Sequence, residues 1–213
     1  MARTADHAAR RRQIYEAVRA ISATDGLGAV TVARTADAAG ISIGLVQHYF
    51  PRKQGLLIHA HSTLIGDIEA RIGAAVAAME EAHERIETIL PTVLGELLPI
   101  DADRRAEAYL QLAFASAALD HPAIGVESRR WQRRIRRLIE RAVVNGKECG
   151  EVDADADARL AAWELSSAVR GLVWTLYEED TAAAADRALE VVGDITSRWF
   201  AGPCNRSPTV GPR

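Results

Sequence analysis

Between Ala36 and Lys53 the chain reads Ala-Asp-Ala-Ala-Gly-Ile-Ser-Ile-Gly-Leu-Val-Gln-His-Tyr-Phe-Pro-Arg-Lys. A helix-forming run ends on a glycine. A serine able to cap a new helix follows, and a short amphipathic segment then closes on proline and two cations. Two helices joined by so short a turn can only cross steeply, which is the layout of a helix-turn-helix. The preceding residues supply what such a pair needs to pack on. A first helix is expected from His7 to Asp25, with Ile14, Val18 and Ile21 on one face and Gly26 and Gly28 as its stop. Thr31 is placed to cap a second helix that turns Val32, Ala36 and Ala39 inward. Gly40 supplies the turn, and Ser42 caps a third helix ending near Pro51.

At about 100° per residue, the third helix sorts its side chains into two faces. Ile43, Val46 and Phe50 fall inward. Gly44, Leu45 and His48 fall outward, with Gln47 and Tyr49 on the flanks. Such a face suits a DNA groove. Gln47 can bond a base edge or a phosphate, His48 and Tyr49 can donate to phosphate oxygens, and Leu45 can touch a thymine methyl. Gly44 lets the backbone approach the sugar-phosphate wall, and Arg52 and Lys53 stand at a helix start that favours anions. Charge agrees. Residues 1–60 hold Arg3, Arg10, Arg11, Arg12, Arg19, Arg34, Arg52 and Lys53 against Asp6, Glu16, Asp25 and Asp37, a net +4, so the rest carries -7 of the overall -3. A basic head on an acidic body directs a polyanion to the head. The same residues would also serve a small amphipathic helix in a generic bundle.

The segment closely resembles the N-terminal domain of the TetR (tetracycline-repressor-like) family. The resemblance rests on Thr31, Ala36, Ala39-Gly40, Ile41-Ser42, Gly44, His48-Tyr49-Phe50 and Lys53, and covers roughly residues 10–58. It implies a DNA-facing set of Thr31, Ser42, Gly44, Leu45, Gln47, His48, Tyr49, Arg52 and Lys53. Three positions depart from the family pattern. Thr35 stands where an aliphatic residue is usual, so its hydroxyl needs a carbonyl one turn back. Leu45 and Gln47 replace a small polar residue and a tyrosine, so base preference does not transfer. The Leu-Val-Gln-His-Tyr-Phe run is similar to the branch that includes betaine-responsive repressors.

The remainder reads as an all-α body. Helices are expected from Arg52 or Gln54 toward Ala78, then over Glu81–Leu98, Asp103–Leu119, His121–Val144, Asp155–Glu179 and Thr181–Phe200. Pro99, Pro122 and Gly146/Gly150 punctuate them. This gives a helix-turn-helix domain at 1–52, a helical effector and dimer domain at 53–201, and a disordered tail at 202–213. The family resemblance implies a homodimer through the last two helices. Leu165, Val169, Leu172, Val173 and Leu176 would contribute from one, and Leu189, Val192, Ile195 and Trp199 from the other. Monomer core would use the same residues. The aromatic side chains Tyr109, Phe114, Trp131, Trp163 and Trp174 are candidates for an effector pocket in the middle helices, or for plain core.

Other signals carry less. Arg129, Arg130, Arg133, Arg134, Arg136, Arg137 and Arg141 crowd one helix with apolar residues between them, as a solvated outer face does. Asp153, Asp155, Asp157 and Glu164 match calcium-loop positions, but Ala158 stands where the loop needs glycine, and acids at a helix start account for them. His59 and His61 point apart on a helix. No metal and no cofactor is expected, nor any nucleophile–base constellation of an enzyme. Cys149 and Cys204 are the only cysteines, which suits a reducing cytoplasm. No apolar run approaches the roughly 18 residues of a membrane span. The expectation is a cytoplasmic regulator, most readily a repressor, that binds double-stranded operator DNA as a homodimer and leaves it when a small-molecule effector binds. A helical non-regulatory binding protein or enzyme is the alternative.

Overall fold

In a computed structural model residues 2–204 are described. Among them are nine α-helices, one 3-10 turn and no strand, as the all-α reading requires. The helices are α1 (Ala2–Asp25), α2 (Val32–Ala39), α3 (Ile43–Tyr49), α4 (Lys53–Glu81), α5 (Ile86–Gly95), α6 (Ala102–Asp120), α7 (Pro122–Cys149), α8 (Ala158–Glu178) and α9 (Ala182–Ser197), with the 3-10 turn at Leu27–Ala29. Among the described residues no helix is long and apolar enough to cross a membrane. The chain divides into two compact units, Met1–Asp67 with Ala106–Arg130, and Ile68–Arg105 with Trp131–Arg213. The division differs from the boundary expected at 52/53, because α4 starts at Lys53 and runs on unbroken.

In the first unit α1 packs on α2 and α2 on α3. The core is Ile14, Val18, Ala36, Val46 and Phe50 with Leu56 and Leu64 of α4, all buried. Polar tethers fix the register. Gln13 donates to the Ala39 carbonyl at 2.7 Å and so satisfies an orphan acceptor at the end of α2. The Arg12 guanidinium grips both Asp67 oxygens at 2.7 Å. Arg34 pairs with Asp25. Thr35 is fully buried, and its hydroxyl donates to the Thr31 carbonyl at 2.8 Å, the partner its polarity called for.

In the second unit α9 packs on both α5 and α8. Several bounds depart from the periodicity reading. α4 continues to Glu81 and α5 begins only at Ile86, with His83 in the left-handed region (φ 57°) between them. α7 passes through Gly146 and stops at Cys149. A Cβ at 146 would stand 2.6 Å from Val152 and 2.8 Å from Phe200, so this glycine serves close packing rather than helix ending. α8 starts at Ala158 because Asp157 caps it, accepting from the N–H groups of Arg159 and Leu160. Asp153 accepts from the Asp155 N–H in the preceding turn. Those bonds account for two of the supposed calcium ligands. Thr181 caps α9. Of the tail expected at 202–213, residues 205–213 lie outside the described residues, while Gly202 donates its N–H to the Glu151 carbonyl at 2.9 Å.

Candidate nucleic-acid interface

The third helix is held by its ends. Gly40 closes α2 in the left-handed region (φ 64°), a conformation that costs a glycine nothing. Ser42 then caps α3, its hydroxyl accepting from the Leu45 N–H at 3.2 Å. Thr31 does the same for α2 through the Arg34 N–H at 3.1 Å. At the far end the Phe50 N–H bonds the Val46 carbonyl at 2.8 Å. The Phe50 ring stacks on His59 at 4.8 Å, with the Arg11 guanidinium 5.4 Å from its centroid. Burial pulls the His59 imidazole below its ordinary range, although its contact with the Arg11 carbonyl acts in the opposite sense.

With Val46 and Phe50 locked inward, Gln47 and His48 stand exposed, Gly44 presents bare backbone, and Leu45 and Tyr49 are half-buried. The inward face is narrower than the helical wheel implies. Ile43 was expected in the core but is 49% exposed. It opens the helix beside the cap, one turn short of the neighbours that cover Val46. Tyr49 is oriented by a hydroxyl contact to His7 Nδ1 at 2.9 Å, a partner that sequence spacing could not supply across 42 positions. Arg52 is exposed. Lys53 is exposed but engaged: its ammonium donates to the Gly28 carbonyl at 2.9 Å and ties the start of α4 to the 3-10 turn. The set expected to face DNA therefore falls into two groups. Thr31, Ser42 and Lys53 hold the frame, while Gly44, Leu45, Gln47, His48, Tyr49 and Arg52 are presented by it.

The aromatic candidates for an effector pocket fall apart. Tyr109 and Phe114 belong to the first unit, where Phe114 is buried edge-on against His61. Trp131 is buried in the second unit. Trp163 and Trp174 are 60% and 54% exposed. Arg136 sits 4.6 Å over the Trp163 ring. Elsewhere on the arginine-rich helix Arg134 pairs with Glu69 at 2.8 Å, as a solvated face does. None of the five aromatics lines the cavity of about 270 Å³ found among α4, α5 and α7. That cavity is aliphatic: Ile72, Val76, Ile89, Leu90, Val93 and Ile139 are among its walls, and Glu80, Arg141 and Asn145 are its polar members. The signal for it was present in the sequence as Ile86, Ile89, Leu90, Val93, Leu94 and Leu97, a stripe too wide for contact with one neighbour.

The dimer candidates also divide. Leu165, Val169, Val173, Leu176 and Val192 are buried within the second unit itself, so they form its interior rather than a free face. Leu172, Ile195 and Trp199 are half-buried, and the Trp199 indole donates to Glu164 at 3.0 Å. Leu189 is exposed. The opposite side of α8 carries a second apolar stripe. Leu160, Trp163, Ser167, Gly171 and Trp174 recur at helical spacing and are all exposed.

A capped three-helix head that presents Gln and His from a short second helix of the turn, followed by a larger helical unit, is the architecture of a one-component transcriptional regulator. Comparison with known proteins makes this specific. Residues 14–60 match the model described as bacterial regulatory proteins, tetR family, and residues 83–201 match the BetI-type transcriptional repressor C-terminal model. The chain is 30% identical over 165 residues to the HTH-type transcriptional regulator BetI of Serratia proteamaculans, covering 76% of this chain and 78% of that protein. It is 28% identical over 171 residues to BetI 2 of Chromohalobacter salexigens, covering 76% and 75%. Among solved structures it shares its fold with a Rhodococcus transcriptional regulator (TM-score 0.76, 23% identity, 93% of this chain and 99% of that one). A transcriptional regulator of Saccharomonospora viridis, crystallised with choline, is similar too (TM-score 0.75, 21% identity, 88% and 95%). The chain belongs to the TetR family of transcriptional regulators, with a BetI-type C-terminal domain.

Proposed function

We propose that this regulator represses transcription by laying α3 of each protomer of a homodimer into successive major grooves of a pseudo-palindromic operator, and that a small aliphatic effector releases it. One observation carries the reading. Val46 and Phe50 are sealed inside while Gln47 and His48 are exposed on the same two turns of a helix capped at its start. Direct base contacts come from Gln47. Phosphate contacts come from His48, Tyr49 and Arg52, and Lys53 keeps the start of α4 in place. The exposed stripe of α8, with Leu189 of α9, supplies the dimer face. Two indoles eleven positions apart, roughly 16 Å along a helix, make a large apolar surface that a monomer would leave in water.

The effector cavity among α4, α5 and α7 supports a ligand class. Among the described residues no aromatic ring lines it, so it offers no cation–π cage for a quaternary ammonium such as the choline held by the Saccharomonospora regulator. Its walls favour a branched or straight aliphatic chain. Exposed Arg141 and Asn145 are placed to receive a polar or anionic end. The test is selection of bound fragments from random duplex DNA, followed by anisotropy titration of the selected site. The expected result is an inverted repeat bound with an affinity that falls steeply as salt rises, since phosphate contacts release counterions. Purified protein that ignores every duplex at low ionic strength would end the proposal. A non-symmetric selected site would end its dimeric part.

A further inference from the structure

Where α7 ends, three side chains of the second unit converge. The Cys149 Sγ, a Glu151 carboxylate oxygen and the Cys204 Sγ all lie within 4.8 Å of one another. Cys149 is 2% exposed and Glu151 1%. A carboxylate so deeply buried needs full compensation. One oxygen of Glu151 has it, accepting the Glu87 N–H at the first turn of α5 at 2.8 Å. Among the described residues the other, Oε1, meets the Cys149 thiol at 3.6 Å and the Arg85 guanidinium at 3.8 Å. The third member arrives on the segment after α9. That segment is strapped down through the Gly202 main chain: its N–H donates to the Glu151 carbonyl at 2.9 Å, and the Arg85 guanidinium donates to its carbonyl at 2.8 Å. Two residues on, the strap delivers Cys204 to the buried pair.

We propose that Cys149, Glu151 and Cys204 form a binding site for one thiophilic divalent cation of the zinc class, which fastens the C-terminal segment to the end of α7. Two sulfurs and one carboxylate oxygen make a donor set that zinc accepts and that magnesium and calcium do not. The spacing fits. Zinc–sulfur bonds of about 2.3 Å and zinc–oxygen bonds of about 2.0–2.2 Å place tetrahedral ligand atoms about 3.5–3.8 Å apart. The three groups need to close only modestly to reach that separation. The charges balance as well. The cation displaces both thiol protons to solvent, and two thiolates and a carboxylate around a divalent ion leave one negative charge, opposite Arg85. Arg85 also bonds Gly202, so it orients the ligand carboxylate and the strap together, as outer groups at metal sites do. The fourth position belongs to water.

The test is titration of the reduced full-length protein with cobalt(II) under anaerobic conditions, followed by zinc competition. Saturation is expected at one equivalent, with a sulfur-to-cobalt charge-transfer band in the near ultraviolet that zinc removes. Cys149→Ser and Cys204→Ser should each abolish that band, and Glu151→Gln should weaken cobalt binding about tenfold or more. Cys204 lies on the half-exposed strap, so its serine variant keeps the helical circular dichroism of the parent. Zinc should raise the melting temperature of the parent protein and leave that of Cys204→Ser unchanged. Absence of the band, an undiminished band in Cys204→Ser, or formation of a Cys149–Cys204 disulfide in the presence of excess zinc would each overturn the proposal.

Discussion

α3 and α8 both carry polar and apolar residues at helical spacing, yet one could be oriented from its pattern and the other could not. α3 is seven residues long, and two aliphatic or aromatic positions, Val46 and Phe50, suffice to fix its inner face. Everything between them that is polar must point away. α8 is 21 residues long and apolar on more than one side. Leu165, Val169, Val173 and Leu176 on one side and Leu160, Trp163 and Trp174 on the other are equally good cores by periodicity alone. The structure buries the first set in the protomer and leaves the second for something else. A short amphipathic helix declares its orientation. A helix apolar on two sides states only that it has two candidate cores.

The comparison can be attacked in order of expected effect. Phe50→Ala removes the ring that stacks on His59 and should cost about 3–5 kcal/mol in denaturant unfolding; a loss below about 1 kcal/mol would mean that α3 is not anchored this way. On the other helix, Trp163→Glu or Trp174→Glu should raise the dimer dissociation constant by more than tenfold, equivalent to about 1.4 kcal/mol or more, while helicity is kept. Sedimentation at graded concentration reads it, and an unchanged dimer would move the interface off this stripe. Gln47→Ala should weaken the selected operator by about 1–3 kcal/mol and relax preference at one base pair. Melting should stay unaltered, whereas a parallel loss of stability would make Gln47 structural.

Smaller effects separate frame from face. Thr181→Ala deletes the α9 cap and should cost about 1 kcal/mol of stability with no change in operator affinity once folded. His61 is buried edge-on to Phe114, and burial lowers its basicity below the ordinary 6.5, although Glu127 acts in the opposite sense. A histidine held neutral in the fold binds its proton more readily when unfolded. Stability from this site is therefore full above the unfolded value and declines as pH falls through 6.5 toward the lower folded one. Melting temperatures from about pH 7 to about pH 5.5 should fall less steeply in His61→Phe than in the parent.

Most of the architecture was legible because helices announce their ends. Thr31 and Ser42 cap as their positions suggested, and Gly40 takes the left-handed turn. Misplaced boundaries trace to tertiary packing. Gly146 reads as a stop until Phe200 and Val152 are set against it, and Ile43 reads as core until its neighbours prove too few. An effector pocket was sought among rings because aromatics stand out in a sequence. The cavity among α4, α5 and α7 is walled by common aliphatics, whose placement is set by which helices they face. Cys149 and Cys204 stand far apart in sequence, and only the fold brings the segment after α9 to the close of α7.

The Gly202 strap has a practical corollary. A Cβ at that position would stand 2.1 Å from the Gly150 carbonyl oxygen, so no larger residue can be accommodated there without moving main chain. The seam is closed by one peptide–peptide bond and the Arg85 guanidinium, and its sequence tolerance is close to nil at residue 202. Affinity handles or reporter fusions spliced directly after Phe200 would evict the strap and uncap the buried acid behind it. The same handles attached beyond Cys204 would leave the seam shut.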